Sequence, residues 1–115
     1  MKSRLPQGYG GGPQNMNSMI KQAQKMQEQL EAKQAEIEAR EFTTTSGGGA
    51  VSVTMTGNKE IKSLKINPEV VDADDVEMLE DLITAAVNEV IRNIEEATSA
   101  EMGKISGGLS LPGLF

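Results

Sequence analysis

Residues 50–67, Ala50-Val51-Ser52-Val53-Thr54-Met55-Thr56-Gly57-Asn58-Lys59-Glu60-Ile61-Lys62-Ser63-Leu64-Lys65-Ile66-Asn67, decide the fold. From Ala50 to Thr56 the chain alternates, with Val51, Val53 and Met55 on one face and Ser52, Thr54 and Thr56 on the other. That period of two marks a half-buried strand. Gly57-Asn58-Lys59-Glu60 is turn chemistry, and Ile61 to Asn67 forms the return strand. Matching apolar residues across the ladder sets Val53 opposite Leu64 and Val51 opposite Ile66. This register centres the turn on Asn58-Lys59 and assigns the positive φ to Asn58. Ile61 falls out of phase with it. Upstream, Phe42-Thr43-Thr44-Thr45 is aromatic and β-branched, and Ser46-Gly47-Gly48-Gly49 turns it back onto the hairpin as a further strand. One oily face and one Ser/Thr/Lys face mean that a helix is needed on one side only.

Long helices flank these strands. From about Met16 to Glu41, the apolar positions Met16, Met19, Ala23, Met26, Leu30 and Ile37 step by threes and fours, like a coiled-coil seam. Asn15, Asn17 and Ser18 are candidate N-caps. About 26 helical residues make a rod of about 39 Å, comparable to the diameter of a small globule. A rod of that length with a narrow stripe predicts a projecting arm. Methionines at 16, 19 and 26 suit either a promiscuous peptide groove or an adaptable seam for one helix, and the spacing favours the seam. The second helix follows Pro68 and runs to about Met102. Asp74 is its expected cap, with Glu77 three residues on as in a capping box and an acidic first turn that suits the helix dipole. Its stripe, from Val76 through Leu82, Val87, Val90 and Ile91 to Ala97, is wider than one sheet face requires. One edge is expected to cover the sheet and the other a second subunit.

The order is therefore α-β-β-β-α. The fold class is α+β, with a three-stranded antiparallel sheet, two long helices projecting as arms, and a homodimer. Three segments divide the chain: a Gly/Pro/Gln-rich, disordered arm at 1–15, the folded domain at 16–102, and an apolar, Gly/Pro-broken tail at 103–115. With 115 residues, 37% of them hydrophobic and 3% aromatic, the core is marginal for a single copy, and dimerisation is the common remedy. No 18-residue apolar run exists, and Pro6-Gln7-Gly8-Tyr9-Gly10 stands where a signal peptide needs apolar residues, so no membrane association is expected. Without cysteine there is no disulfide scaffold, and a cytoplasmic location is the default.

The chain also lacks histidine, which removes the commonest general base along with thiol nucleophiles and nitrogen or sulfur zinc ligands. The carboxylates fall on helix faces and in a cap region, where solvation and capping explain them. Counted from Asp72, an EF-hand would need Gly at the sixth position and Glu at the twelfth, where Glu77 and Ile83 stand. Gly10-Gly11-Gly12 and Gly47-Gly48-Gly49 lack phosphate-loop spacing, and Gly103-Lys104 is followed by Ile105. No enzyme, catalytic residue, metal, cofactor or small-molecule substrate is expected.

Charge is unevenly spread. Residues 1–40 hold six Lys/Arg against four Glu, residues 41–67 three against two, and residues 68–115 two against eleven, which accounts for the net −6. Lys25, Lys33 and Arg40 share one flank of the first helix with Gln22 and Gln29 between them, and Glu31 and Glu38 take the opposite flank. Glu36 interrupts the basic side, and Lys21 stands one turn before Lys25 on the outer face.

Four segments carry a resemblance: MIKQAQKMQEQL (19–30), GGGAVSVTMTGNKEIKSLKINPEVV (47–71), DDVEMLEDLITAAVNEVIRNIEE (74–96) and GGLSLPGLF (107–115). In this order they resemble the YbaB/EbfC family of small bacterial nucleoid-associated proteins, over roughly residues 16–115. The resemblance implies a homodimer with a central sheet and protruding helical arms that binds double-stranded DNA with little sequence preference. It implies a place at the nucleoid and carries no catalytic residues. Lys21, Lys25, Lys33 and Arg40 are the candidate DNA contacts on chemical grounds, through phosphates rather than base edges. Met19, Met26, Leu30, Val87, Val90 and Ile91 are the candidate dimer and core seam. The rival expectation is a protein-interaction scaffold that uses the seam and the apolar tail without physiological DNA binding.

Overall fold

The computed structural model describes residues 12–107, which form two helices and one sheet in the order α-β-β-β-α. Residues 1–11 and 108–115, most of the expected N-terminal arm and apolar tail, lie outside the described residues.

Helix α1 spans Gly12–Ala39 and starts about one turn before the expected Met16. Pro13 falls in its first turn, where a missing N–H costs nothing because that donor has no partner inside the helix. Asn15, Asn17 and Ser18 are therefore helical residues and not caps. The helix closes where the Arg40 N–H donates to the Ile37 carbonyl at 3.0 Å.

Strands β1 (Glu41–Ser46), β2 (Val51–Thr56) and β3 (Ile61–Ile66) form an antiparallel sheet in that order. Val51 pairs with Ile66 and Val53 with Leu64, as the alternation predicts. Between Thr54 and Met55 the register shifts by one: Thr54 pairs with Ser63 but Met55 with Ile61, leaving Lys62 as the extra residue of a bulge. This puts Ile61 back in phase with Met55. It also moves the hairpin tip. Thr56 donates its N–H to Glu60 O at 2.9 Å and accepts from Lys59 N at 2.8 Å, so the loop has three residues, Gly57-Asn58-Lys59. In such loops the last residue is left-handed. The positive φ accordingly belongs to Lys59, at 69°, and not to Asn58.

Helix α2 spans Val76–Ser106, four residues beyond the expected end. Its cap is Asp75, which accepts from Met78 N at 3.2 Å, rather than Asp74. Asp72 explains the shift: its carboxylate accepts from Asp74 N at 2.9 Å and its carbonyl from Asp75 N at 2.9 Å, which holds Asp74 inside a preceding turn.

The core lies between α2 and one sheet face. Ala86, Val90 and Ile94 pack on Val51, Val53 and Met55, all buried. On β1 the inward positions after Phe42 are hydroxyls, which α2 satisfies: Thr44 Oγ1 donates to Ala86 O at 2.7 Å and Ser46 Oγ to Leu82 O at 2.6 Å. Short side chains bonded to helix carbonyls draw α2 over β1 and β2. Edge strand β3 is left bare, so Leu64, on the same face as buried Val53, stays 40% exposed.

The C-terminal half of α2 lies antiparallel against α1, and Ile37 is buried between the helices and the sheet. The Gly57 N–H donates to Arg40 O at 3.0 Å, tying the end of α1 to the hairpin tip. The result is a rod-like molecule, 88 × 25 × 15 Å.

Candidate nucleic-acid interface

The four cations expected to meet DNA fall into two pairs. At the root of α1, Arg40 grips Glu36 at two points, Nε to Oε2 at 2.9 Å and Nη2 to Oε1 at 2.7 Å, while its guanidinium lies 5.8 Å from the Phe42 ring centroid. Lys33 reaches Glu36 and Glu101, each at 3.5 Å. Both cations are half-buried, and the pair with Glu101 ties Lys33 to α2. The hydrogen bond from Arg40, with its charge and that of Lys33, lowers the Glu36 carboxyl below its ordinary value, and the same bond raises Arg40. Glu36 therefore offsets charge that the spacing alone assigns to a basic face.

Lys21 and Lys25 differ. They stand on the half of α1 that extends past α2, both exposed, and among the described residues neither has a carboxylate within ion-pair distance. Exposed Gln22, Gln24 and Gln29 supply amides beside them. Gln27 and Gln34 instead bond Glu31 and Glu38 on the acidic flank.

Most other cations are paired as well: Lys59 with Glu95 at 3.2 Å, Lys62 with Glu41, Arg92 with Glu89 at 2.6 Å, and Lys104 with Glu101 at 3.9 Å. Lys65 is the cation that the helix-centred sequence reading passes over. It is exposed on the hydroxyl face of the sheet, opposite Ser52 and without an ion pair among the described residues. Its position is legible in the strand alternation, which puts Lys65 in phase with Ser63 and out of phase with Leu64.

Of the expected seam, Val90 is buried, Met26, Leu30, Val87 and Ile91 are half-buried, and Met19 is 64% exposed. Val87 and Ile91, with Ile66 of β3, are partly buried against the core, and Leu64 two residues before Ile66 stays 40% exposed. Among the described residues no group of three or more His, Cys, Asp or Glu is placed to hold a metal ion, and no helix is long and apolar enough to cross a membrane.

The profile of the YbaB/EbfC DNA-binding family matches residues 11–109. A nucleoid-associated protein of Clostridium acetobutylicum is 63% identical over 107 residues, covering 93% of this chain and 94% of its own. One from Clostridium botulinum is 59% identical over 114 residues, covering 99% and 98%. In fold, the chain is similar to the crystal structure of an uncharacterized protein from Helicobacter pylori, with a TM-score of 0.59 and 22% identity, covering 74% of this chain and 86% of that one. The sheet, the helical arm and nearly the full length of the sequence thus agree: the chain belongs to the YbaB/EbfC DNA-binding family.

Proposed function

We propose that this nucleoid-associated, DNA-binding protein acts in the cytoplasm as a homodimer that binds double-stranded DNA with little sequence preference, through phosphate contacts from its helical arms. The observation that carries this reading is the distribution of unpaired charge. Lys21 and Lys25, with amides around them, lie on the projecting half of α1, whereas Lys33 and Arg40 are held by Glu36. Lysine ammonium groups and glutamine amides on an exposed helix meet phosphate oxygens from many angles, which positions a duplex without reading its bases. The homodimer rests on the bare inner face of β3 and the adjoining flank of α2, where Leu64, Ile66, Val87 and Ile91 leave apolar surface uncovered in one chain. A two-fold pairing there duplicates the arm and lets two weak electrostatic contacts act together.

An anisotropy titration of a labelled duplex across salt concentrations tests the reading. The logarithm of the affinity is expected to fall linearly with log salt, and Lys21→Gln with Lys25→Gln to flatten that slope by about 0.9 per lost phosphate contact. Absence of binding at low salt overturns it in favour of a protein scaffold.

A further inference from the structure

The apolar stripe of α1 outlasts its cover. Ile37 is 1% exposed and Met26 and Leu30 are half-buried, but Met16 is 60% exposed, Met19 64% and Ile20 52%, and Ala23 is exposed as well. The boundary follows from the antiparallel pairing of the helices. Lys33 meets Glu101, and Gln29 and Lys33 line a groove with Lys104 and Ile105, so the end of α2 at Ser106 falls level with about Met26. The charges change at the same height. The inner half of the stripe has Lys33, Glu36 and Arg40 beside it. From Met16 to Leu30 the flanking positions are Ile20, Gln22, Gln27 and Gln29, all uncharged, and Lys21, Lys25 and Glu28 fall on the opposite side of the helix.

We propose that the outer stripe of α1 packs antiparallel against the same stripe of a second copy, at a contact separate from the sheet face. The steps from Met16 to Met19, Ala23 and Met26 are three, four and three, which read alike from either end. Reversed on itself, the stripe sets Met16 against Met26 of the second copy and Met19 against its Ala23, so each pair occurs twice and four apolar layers close the seam. The two Ile20 side chains then meet across the two-fold axis on one flank, and the two Gln22 side chains on the other. Uncharged flanks are what such self-pairing requires, because a charged residue there would face its own copy. Other registers fail. One heptad deeper sets Met16 on Lys33, which Glu101 already holds, and one heptad shallower leaves only Met16 and Met19 in contact. Lys21 and Lys25 point away from the contact. With helix axes about 8–10 Å apart, the two Lys21 ammonium groups stand about 20 Å from each other, beyond the Debye length of about 8 Å. Two heptads hold helices together only where copies are concentrated, so the mass in dilute solution reports the sheet face.

The chain has no cysteine, so introduced ones report without interference. In the full-length protein at high concentration, a short bis-maleimide is expected to join two chains through Ile20→Cys about tenfold faster than through Lys21→Cys, which stands at the same height on the far side. Met16→Cys mixed with Met26→Cys should link one chain of each kind, identified by peptide mass. Met16→Cys alone should not link, its two copies being about 15 Å apart along the helix. Ala23→Asp, at an exposed position, is expected to cut the Ile20→Cys yield about tenfold by placing charge in the seam, with the melting temperature unchanged. Leu64→Asp should leave the yield intact. Loss of the link in Leu64→Asp overturns the proposal, because the contact then depends on the sheet face. A wild-type chain of monomer mass that still links through Ile20→Cys rejects the sheet face and upholds the arm contact. Equal yields at Ile20→Cys and Lys21→Cys overturn the proposal, and so does Met16→Cys linked to itself, which marks a parallel pair. No link at Ile20→Cys gives the stripe to another segment of the chain or to a different protein, and overturns it as well.

Discussion

Gly57 and Ile37 approach so closely that a β-carbon on the glycine would stand 1.8 Å from the Ile37 carbonyl oxygen and 2.5 Å from its carbonyl carbon. The atoms in the way are helix backbone, which cannot rotate aside. This contact, with the Gly57 N–H donating to Arg40 O, sets where α1 leaves the sheet. Gly57→Ala is therefore expected to lower stability by about 1–3 kcal/mol, as overpacking at a rigid site does. Denaturant unfolding measures the loss, and an unchanged midpoint would show that α1 shifts at no cost.

Glu36 restrains the charge at the root of the arm. Glu36→Gln leaves an amide that bonds Arg40 without neutralising it, so Lys33 and Arg40 become available to phosphate. DNA affinity at low salt is expected to rise about threefold to tenfold, with a salt slope steeper by about 0.9 per added phosphate contact. The exposed cluster adds little to folding, so the melting temperature should hardly move. The pH dependence has a definite sign. Because the folded carboxyl lies below its ordinary 4.5, the pairing is complete at neutral pH and is lost only as pH falls below that value, through the lower folded one. A DNA titration at neutral pH with no gain from Glu36→Gln would mean that Lys33 stays with Glu101 and Arg40 with the Phe42 ring.

Thr44 tests how α2 is seated. Thr44→Val keeps the shape and removes the hydroxyl that donates to Ala86 O. A loss of about 0.5–1.5 kcal/mol is expected, since the carbonyl also serves the helix ladder. Thermal unfolding reads it, and Thr43→Val on the solvent face, where the hydroxyl meets that of Thr54, is the comparison expected to cost less.

Leu64 tests the second copy. At 40% exposure in one chain, Leu64→Asp spares the core yet places a charge in the proposed interface. Light scattering is expected to move from twice 12.3 kDa toward 12.3 kDa, whereas Thr45→Asp on the opposite sheet face leaves the mass doubled. A wild-type chain that weighs as a monomer would reject the interface outright.

Much of the fold was legible because strong local patterns and tertiary demands agree. The alternation of Val51, Val53 and Met55 against Leu64 and Ile66 specified the pairing, since a slip by one would turn every apolar residue to solvent. The bulge at Lys62 left no such mark. It shows only as the misfit of Ile61, and it moved both the loop length and the left-handed residue. At the start of α2, three aspartates in four positions each satisfy a cap rule, and the Asp72 turn chose between them. At the candidate site, the Glu36 pairings to Lys33 and Arg40 follow from spacings of three and four. Glu101 does not, because it arrives from a distant helix.

Along the 88 Å of the molecule the densest acidic cluster stands far from the two unpaired lysines of the arm. Asp72, Asp74, Asp75, Glu77, Glu80 and Asp81 crowd the start of α2 beside the sheet, while Lys21 and Lys25 ride the opposite end. At physiological ionic strength the Debye length is about 8 Å, several-fold shorter than that separation. A duplex lying across the tip of the arm is electrically blind to the acidic end. The whole-chain charge of −6 therefore does not describe an encounter at the tip of the arm. A duplex held by Lys21 and Lys25, as proposed, would lie at the tip with the acidic body kept at a distance from it.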